Sequence, residues 1–286
     1  MTAPLLEVEH VSKRFGAFVA VDDVSCAVGP GEVVGLLGAN GAGKTTVLRI
    51  ALGLLAASSG GVRLLGRAPD REARSRIGYV AQGLGLYADL SVRENLEFVA
   101  SVYGQPRPEV PDAFTDLADD LVGRIPLGSQ RELAFACALL HDPAFVVLDE
   151  PTSGVGAVAR SALWETIHER AEAGVGVLVT THYMQEADQC DRLLLMASGR
   201  LVAAGSRAQI VAGTTAVEVR AAEWARAFEV LSAANLPVTL AGTAVRVADV
   251  PLDAVRAELD RAGVGAQLAP VAATIEERMT VLAGQA

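Results

Sequence analysis

The chain has few of the side chains that cross-link a protein or bind a transition metal. Its 286 residues include three cysteines and four histidines, and neither type repeats at the spacing of a zinc site. The cysteines are odd in number and far apart, which excludes a disulfide framework and is typical of a reducing compartment. The residues concerned are Cys26, Cys137, Cys190, His10, His141, His168 and His182.

Long apolar runs are also missing. The longest, such as Phe145–Leu148 and Val175–Val179, are far shorter than the roughly 20 residues that a membrane-spanning helix needs. The N-terminus has no basic segment followed by an apolar one, so the sequence predicts no signal peptide. We therefore expect any contact with a membrane to be made through a partner.

Positive charge is scarce as well. The formal net charge is −10, which argues against a nucleic-acid partner. Hydrophobic residues make up 51% of the chain and charged residues 20%, so a large core is possible and global disorder is not expected. The length suits one large domain, alone or with a small one.

Lysine is the rarest basic residue, and Lys13 and Lys44 are its only two examples. Lys44 lies in Gly38–Thr46, which fits the phosphate-loop pattern Gly-x-x-x-x-Gly-Lys-Ser/Thr. Glycines in this pattern let backbone N–H groups surround phosphate oxygens, and the next helix adds the positive end of its dipole. The alternative, a turn that binds nothing, does not explain a lysine in a chain that otherwise uses arginine. We predict that Lys44 binds phosphate and that the hydroxyl of Thr45 holds Mg²⁺.

Strands and helices are predicted to alternate around this loop, which indicates an α/β fold. Glu32–Leu37 predicts a buried strand before the loop, and a helix is predicted from Lys44 to about Ala56. Further helices are predicted for Leu90–Tyr103, Val110–Leu121, Ser129–Leu140, Val158–Ala173 and Met184–Cys190, with capping boxes at Ser91/Glu94 and Ser129/Glu132.

Polar side chains follow three of the predicted strands. Asp149 and Glu150 end the apolar run Ala144–Leu148, Gln82 follows Ile77–Val80, and His182 follows Val175–Thr180. Open α/β sheets bind ligands at the carboxyl ends of their strands. We predict that Asp149 holds Mg²⁺ and that Glu150 polarises an attacking water. A solvated strand end, a solvated loop glutamine and a packed core histidine are the alternatives.

Two strands, Leu6–Val11 and Val19–Val28, precede the phosphate loop. Between them lies Phe15, and two interpretations of it stay open: stacking on an adenine, or a partly buried turn aromatic. At the other end, residues 215–286 predict a separate ferredoxin-like unit with the order β-α-β-β-α-β, closed by a helix that Thr274 and Glu277 cap. We expect this unit to be regulatory or to stabilise a dimer.

Taken together, the motifs resemble the ATPase subunits of ATP-binding-cassette transporters, and among these the subunits of bacterial drug, antibiotic and cell-surface-polymer exporters. The resemblance covers about residues 4–214. Its motifs are Gly38–Thr46, Tyr79–Gln82, Leu86–Tyr87, Glu94–Leu96, Leu139–Pro143, Leu148–Gly154 and Thr180–His182. Thr274–Glu277 resembles the accessory tail of the same exporters.

The resemblance implies a RecA-like P-loop NTPase core with an antiparallel β-subdomain and a helical subdomain at about 83–143. It also implies ATP and Mg²⁺ as ligands and a transmembrane permease as partner, so that the chain lies at the cytoplasmic face of a membrane. Glu150 is implied as the catalytic base, with His182 on the γ-phosphate and Gln82 sensing metal and water. The implied nucleotide-binding residues are Phe15, Gly38, Asn40, Gly41, Ala42, Gly43, Lys44, Thr45 and Thr46, and the implied metal-binding residues are Thr45, Gln82 and Asp149.

The chain departs from the family pattern in two places. Where the family has Leu-Ser-Gly-Gly-Gln, this chain has Ile125–Ser129, with Pro126 and Leu127 in place of Ser and Gly. After Ser153–Gly154, Val155–Ala157 lacks the usual Asp-Pro, because Gly156 stands at the Asp position. In this family two subunits sandwich two ATP molecules, each between one phosphate loop and the other subunit's signature. The departures therefore favour a heterodimer with a second ATPase subunit, although a homodimer stays open.

Two other functions stay open on the sequence. One is a soluble cassette protein without a permease, which the single phosphate loop and the acidity disfavour. The other is a non-hydrolysing ATP-binding regulator, favoured by Pro126 and Gly156 and disfavoured by Asp149, Glu150 and His182. The sequence does not identify the cargo.

Overall fold

The computed structural model describes residues 3–285, together with all their side chains except that of Gln285. Met1, Thr2 and Ala286, at the outer ends of the predicted domains 1–214 and 215–286, lie outside the described residues. The strands are β1 (Leu6–Phe15), β2 (Phe18–Val28), β3 (Val33–Gly38), β4 (Ser59–Leu64), β5 (Ile77–Val80), β6 (Phe145–Asp149), β7 (Gly176–Thr181), β8 (Arg192–Ala197), β9 (Arg200–Gly205), β10 (Thr215–Ala221), β11 (Val238–Ala241), β12 (Ala244–Ala248) and β13 (Ala266–Ala272).

The helices between these strands include nine α-helical segments. They are α1 (Lys44–Ala51), α2 (Arg71–Arg74), α3 (Val92–Val102), α4 (Leu127–Leu139), α5 (Ala157–Glu172), α6 (Arg207–Val211), α7 (Trp224–Ala233), α8 (Leu252–Arg261) and α9 (Ile275–Gln285), and 3₁₀ segments span Asp112–Leu117, Val122–Arg124 and Met184–Gln189. Within residues 3–285 none of the helices has the length and apolar character needed to cross a membrane.

A six-stranded sheet in the order β5-β6-β7-β3-β8-β9 forms the centre of the larger part. Its first five strands are parallel and β9 is antiparallel to β8. Both faces of β3, β6 and β7 are buried, because α1 packs on one face of the sheet and α5 on the other. This arrangement confirms the predicted α/β class.

The strand register places the predicted site residues at one edge. Leu37 of β3 is paired with Thr181 of β7, and Asp149 of β6 is paired with Thr180 of the same strand. The carboxyl ends of β3, β6 and β7 are therefore adjacent. The phosphate loop and the polar residues after β6 and β7 emerge at this edge.

Two smaller layers flank the central sheet. The antiparallel sheet β2-β1-β4 packs near α1, and it corresponds to the predicted β-subdomain. A cluster of α3 and α4 side chains, including Leu96 and Leu133, forms a separate small core together with Phe114. These elements belong to the segment that was predicted to be helical.

Two predicted helices are wrong in extent or type. Helix α1 ends at Ala51 rather than Ala56, because Gly53 takes a positive φ of 65° and the N–H groups of Leu54 and Leu55 both donate to the carbonyl of Arg49. Instead of a helix over Val110–Leu121, only the 3₁₀ segment Asp112–Leu117 forms. Prolines at 106, 108 and 111 restrict its approach, and of its side chains only Phe114 is buried. The short helix predicted for Met184–Cys190 is confirmed as a 3₁₀ segment over Met184–Gln189.

The Ser129/Glu132 capping box is also wrong, whereas the Ser91/Glu94 box is confirmed. Helix α4 begins at Leu127, so Ser129 already lies within its first turn. Pro126 is the N-cap with φ −55°, and its carbonyl accepts a hydrogen bond from the N–H of Gln130 at 3.0 Å. The fixed φ of proline starts the helix three residues earlier than the side-chain pattern predicts.

The last four strands form a sheet of their own in the order β11-β12-β10-β13, entirely antiparallel. Helices α7 and α8 pack on this sheet around Ala227, Leu231, Val255 and Leu259. The elements follow one another in the predicted β-α-β-β-α-β order, although a domain boundary at residue 214 stays a prediction. Of the predicted cap of α9, the N–H of Thr274 donates to the Glu277 carboxylate at 2.5 Å.

Candidate active site

The loop between β3 and α1 has the backbone shape that its glycines require. Gly41 and Gly43 have φ of 82° and 101°, a region that L-residues rarely occupy. A Cβ at Gly43 would lie 2.7 Å from the carbonyl oxygen of Ala20, so only glycine fits there. Helix α1 has no side-chain cap and no acidic residue in its first turn. Its positive end is therefore available to an anion.

Lys44 begins helix α1 and is buried. Its Nζ donates to the carbonyl oxygens of Gly38 at 2.8 Å and Ala39 at 3.2 Å, and lies 3.9 Å from Oε1 of Glu150. Burial lowers the pKa of the Lys44 ammonium, and the carboxylates of Glu150 and Asp149 oppose this shift. The ammonium is thus held inside the loop by carbonyl oxygens, where it can meet phosphate oxygens.

Thr180 contacts both acidic residues at the end of β6. Its hydroxyl donates to Oδ1 of the buried Asp149 at 2.6 Å and accepts the N–H of Glu150 at 3.0 Å. Glu150 has a φ of 52°, which is strained for a residue with a side chain. This strained backbone ends the strand pairing and turns the Glu150 side chain toward the phosphate loop.

Three further groups converge on the carboxylate of Glu150. Nε2 of Gln82 donates to Oε2 at 3.3 Å, Nδ1 of His182 lies 3.3 Å from Oε1, and Nζ of Lys44 lies 3.9 Å from Oε1. Glu150 is therefore shared by the loops that follow β3, β5, β6 and β7. A carboxylate in this setting can accept a proton from water, while the surrounding cation and donors stabilise developing negative charge.

A cavity of about 410 Å³ opens beside this cluster. Phe18 is its aromatic wall, whereas Phe15 is not among its lining residues. Phe15 lies opposite Phe18 in the β1–β2 hairpin, is half exposed, and has Nζ of Lys13 5.0 Å above its ring. The cavity is lined by Phe18, Ala20, Asn40, Gly41, Gly43, Lys44, Thr45, Thr46, Gln82 and Glu150.

The oxygen donors at this edge fit a magnesium ion. They are the hydroxyl of Thr45, the amide of Gln82 and the carboxylate of Asp149, and Mg²⁺ prefers ligands of this kind. In residues 3–285 no group of three or more His, Cys, Asp or Glu side chains could hold a metal. A magnesium ion here would therefore need phosphate oxygens or waters among its ligands, as is usual for this metal.

Two residues of the site were not singled out from the sequence. One is Thr180, which binds the carboxylate of Asp149 and the backbone N–H of Glu150, and its signal was its place at the end of a buried strand, directly before Thr181 and His182. The other is Arg131 of α4, which is buried and donates from Nη1 to the carbonyl oxygens of Glu150 and Pro151, each at 3.2 Å. The signal for Arg131 was a charged residue four positions before Phe135, on the face of the helix that its apolar second half buries.

The altered signature segment lies apart from these contacts. Pro126 and Leu127 are exposed at the start of α4, which has no side-chain cap. A Cβ built on Gly154 would lie 3.3 Å from Cδ2 of Leu127, so Leu127 lies against the loop that leads to the second departure, at Gly156. Gly156 is the N-cap of α5 and also provides no side-chain cap.

Comparisons with known proteins agree with this geometry. Residues 21–153 match the family model described as ABC transporter. The probable multidrug ABC transporter ATP-binding protein YbhF of Escherichia coli strain K12 is 41% identical over 214 residues, which are 71% of this chain and 37% of YbhF. Nod factor export ATP-binding protein I of Paraburkholderia xenovorans strain LB400 is 39% identical over 232 residues, 77% of this chain and 76% of that protein. The match thus spans well under half of the first relative and about three quarters of the second.

Solved structures show the same architecture. The structure of an ATP-binding subunit of an ABC transporter superposes with a TM-score of 0.65 at 28% identity, covering 72% of this chain and 91% of that one. A dimeric ATP-binding cassette in a post-hydrolysis state with ADP and Pi superposes with a TM-score of 0.61 at 22% identity, covering 70% and 98%. The second likeness shows the shared fold alone.

Proposed function

The chain belongs to the ATP-binding-cassette family of transporter ATPases, and we propose that it binds and hydrolyses MgATP to power export through a separate membrane permease. One observation carries this proposal. Lys44, Gln82 and His182 all lie within 4 Å of the Glu150 carboxylate, beside a phosphate loop. Such a carboxylate can activate water where a terminal phosphate would lie.

Each site residue has a role in the proposed reaction. The backbone of Gly38–Thr46 and the ammonium of Lys44 hold the phosphates, and Thr45, Gln82 and Asp149 hold Mg²⁺ directly or through water. Glu150 takes a proton from the attacking water, while His182 donates to the γ-phosphate. Phe18 lines the cavity, and Phe15, its cross-strand partner in the β1–β2 hairpin, stacks on the adenine beyond the lined part of the cavity. Bound Mg²⁺ would supply charge neutralisation of the phosphates.

We also propose two protein partners. The first is a transmembrane permease that holds this chain at the cytoplasmic face of a membrane and contacts the helical subdomain. Export is supported by the names of the relatives, which are described as multidrug and Nod factor export proteins. The second is another ATPase subunit, which completes each ATP site across a dimer. A heterodimer accounts for the altered Pro126–Ser129 and Gly156, and the unit 215–286 is an accessory domain of this assembly.

Hydrolysis is tested with the purified full-length chain. We expect phosphate release that needs both ATP and Mg²⁺ and that Lys44→Ala abolishes, because the loop then lacks its cation. A fluorescent ATP analogue should bind the wild type and bind Lys44→Ala much more weakly. Absence of ATP binding by the wild type, or normal turnover by Lys44→Ala, would contradict the proposal.

The partners are tested separately. A pull-down from detergent-solubilised membranes should recover a polytopic permease, and a second cassette protein if the dimer is mixed. Recovery of neither would favour a cassette protein that works without a permease. Fast, cooperative hydrolysis by the chain alone would contradict the heterodimer, because a homodimer carries the altered signature in both sites.

A further inference from the structure

A buried carboxylate lies behind the active site. Glu186 is only 2% exposed, and its Oε1 accepts a hydrogen bond from the hydroxyl of Thr152. Nε of Arg160 lies 4.0 Å from the same oxygen, while Oε2 has no hydrogen-bond partner among the described residues. A buried carboxylate with so few partners is costly, so its place in the chain is informative.

The hydrogen bond joins the two loops that carry the proposed catalytic groups. Thr152 follows Glu150 by two residues in the loop after β6, and Glu186 follows His182 by four in the segment after β7. At the front of the same loops, Oε1 of Glu150 and Nδ1 of His182 are 3.3 Å apart. The Thr152–Glu186 bond therefore ties the loops together behind the point where their catalytic side chains meet.

Arg160 connects the start of α5 to the same cluster. Its guanidinium lies 5.4 Å from the ring centroid of Tyr183, the neighbour of His182, and donates to the carbonyl of Val155 at 3.4 Å. All these contacts belong to the two loops or to the first turn of α5. Apolar residues of similar volume often stabilise a fold as well as buried ionic groups do, so stability alone does not account for this cluster.

We propose that Glu186 and Thr152 are positioning residues for ATP hydrolysis, which fix the loop of Glu150 relative to the loop of His182. This inference rests on the proposed function for its catalytic consequence. Loss of the bond leaves both catalytic side chains present and lets the loops move independently. Misplacement of reacting groups by about 1 Å can cost roughly 100-fold in rate.

Kinetics of four full-length variants test the proposal. Thr152→Val removes the hydroxyl at nearly constant volume, and we expect kcat to fall about 100-fold while the KM for ATP changes by less than about threefold. Thr152→Ser keeps the hydroxyl and should recover most of the loss. Glu186→Gln keeps an acceptor oxygen and should lower kcat less than Thr152→Val does. The control is Thr166→Val, whose hydroxyl donates only to Ala162 in its own helix and which should match the wild type.

Amide hydrogen exchange tests the coupling without any need for hydrolysis. In Thr152→Val we expect faster exchange in both loops, residues 150–153 and 181–186, with Thr166→Val unchanged. Faster exchange in only one loop, or a Thr152→Ser variant as slow in turnover as Thr152→Val, would overturn the inference. A wild type that hydrolyses no ATP would instead contradict the proposed function, and the exchange result would still decide the coupling.

Discussion

Helices α1 and α4 both begin without a side-chain cap, yet their first turns are very different. At α1 the buried Lys44 is held by carbonyl oxygens, and Lys44, Gln82 and His182 converge on Glu150. At α4 the first residues, Pro126 and Leu127, are exposed and offer no hydroxyl, and proline offers no N–H. The start of α1 therefore has a cation and hydrogen-bond donors that can bind a phosphate, whereas Pro126 and Leu127 at the start of α4 provide neither.

In the proposed dimer, this difference indicates which half of an ATP site the chain builds well and which half depends on the second subunit. The phosphate-loop site, which consists of Gly38–Thr46, Gln82, Asp149, Glu150 and His182, comes from one chain. Its chemistry can therefore be examined in this chain alone. The signature segment Pro126–Ser129, at the start of α4, would offer a phosphate of the second subunit little beyond its backbone from Gly128 onward and the helix dipole. Substitutions in the phosphate-loop site should therefore have larger effects than substitutions in the signature segment Pro126–Ser129.

The largest effect is expected for Glu150→Gln. Gln keeps the size of the side chain and the donor from Gln82 can still find an oxygen, but the base is lost. We expect kcat for ATP hydrolysis to fall about 1,000-fold, within the range for loss of a general base, while ATP binding persists. Phosphate release and binding of a fluorescent ATP analogue measure the two effects.

Glu165→Gln is the matched control, because Glu165 is an exposed glutamate on α5. It should hydrolyse ATP like the wild type. If Glu150→Gln also did so, the assignment of Glu150 as base would be wrong, and the convergence of side chains on it would need another explanation.

The phosphate-loop site was also easier to predict from the sequence than the region around α4. Gly38–Thr46, Gln82, Asp149, Glu150 and His182 could be found from sequence, because each follows a buried strand and the ends of parallel strands meet. Phe18 as the aromatic wall of the cavity could not, since its role depends on how the β1–β2 hairpin lies beside the phosphate loop. Thr180 and Arg131 were missed because their roles depend on long-range contacts, to residues 31 and 19 positions away in the chain.

Predictions failed most around α4. The Ser129/Glu132 pattern indicates a helix start, but Pro126 starts the helix earlier through its fixed backbone angle. The acidic segment before α4 has helix-forming residues, yet its prolines and its single buried side chain leave only a 3₁₀ turn. Helix starts and short helices depend on local backbone geometry that side-chain patterns represent poorly.

Arg131 connects the two regions, and its removal should have the next largest effect. Its guanidinium reaches from α4 to the carbonyl oxygens of Glu150 and Pro151. In Arg131→Met these buried oxygens lose a charged donor, which should lower the free energy of unfolding by about 2 kcal/mol. Thermal denaturation should show a melting temperature lower by about 5 °C, and hydrolysis should fall as the strained Glu150 backbone loses support.

Arg124→Met provides the control for this change. Arg124 is exposed and precedes the same helix, so its replacement should leave the melting temperature within about 1 °C of the wild type. Equal melting temperatures for the two variants would show that Arg131 does not support the Glu150 loop.

Pro126→Ser adds hydrogen-bond donors to the signature segment. Serine restores an N–H and a hydroxyl at the start of α4, where both can meet a phosphate held by a second copy of the chain. If the homodimer forms, we expect kcat to rise about tenfold, which corresponds to one added charge-assisted hydrogen bond. Pro126→Ala restores only the N–H and should give a smaller rise. No increase in either variant would show that the altered segment already supports full turnover.

The smallest effect is expected for Gly156→Asp, which separates two explanations for the missing aspartate. Gly156 is the N-cap of α5 with φ −65° and ψ 163°, angles that any residue adopts, and a Cβ built there has no atom within 4 Å. An aspartate can therefore cap α5, and the gain over glycine should be about 0.3 kcal/mol, or about 1 °C in melting temperature. Gly156→Asn controls for capping without charge.

The turnover of these two variants decides between the explanations. If Gly156→Asp alone also raises turnover of the chain several-fold, the aspartate acts across the dimer, and its absence weakens the site that contains the signature segment. If both variants raise only the melting temperature, the departure at Gly156 costs a helix cap and no catalytic contact, and the asymmetry lies in Pro126 and Leu127.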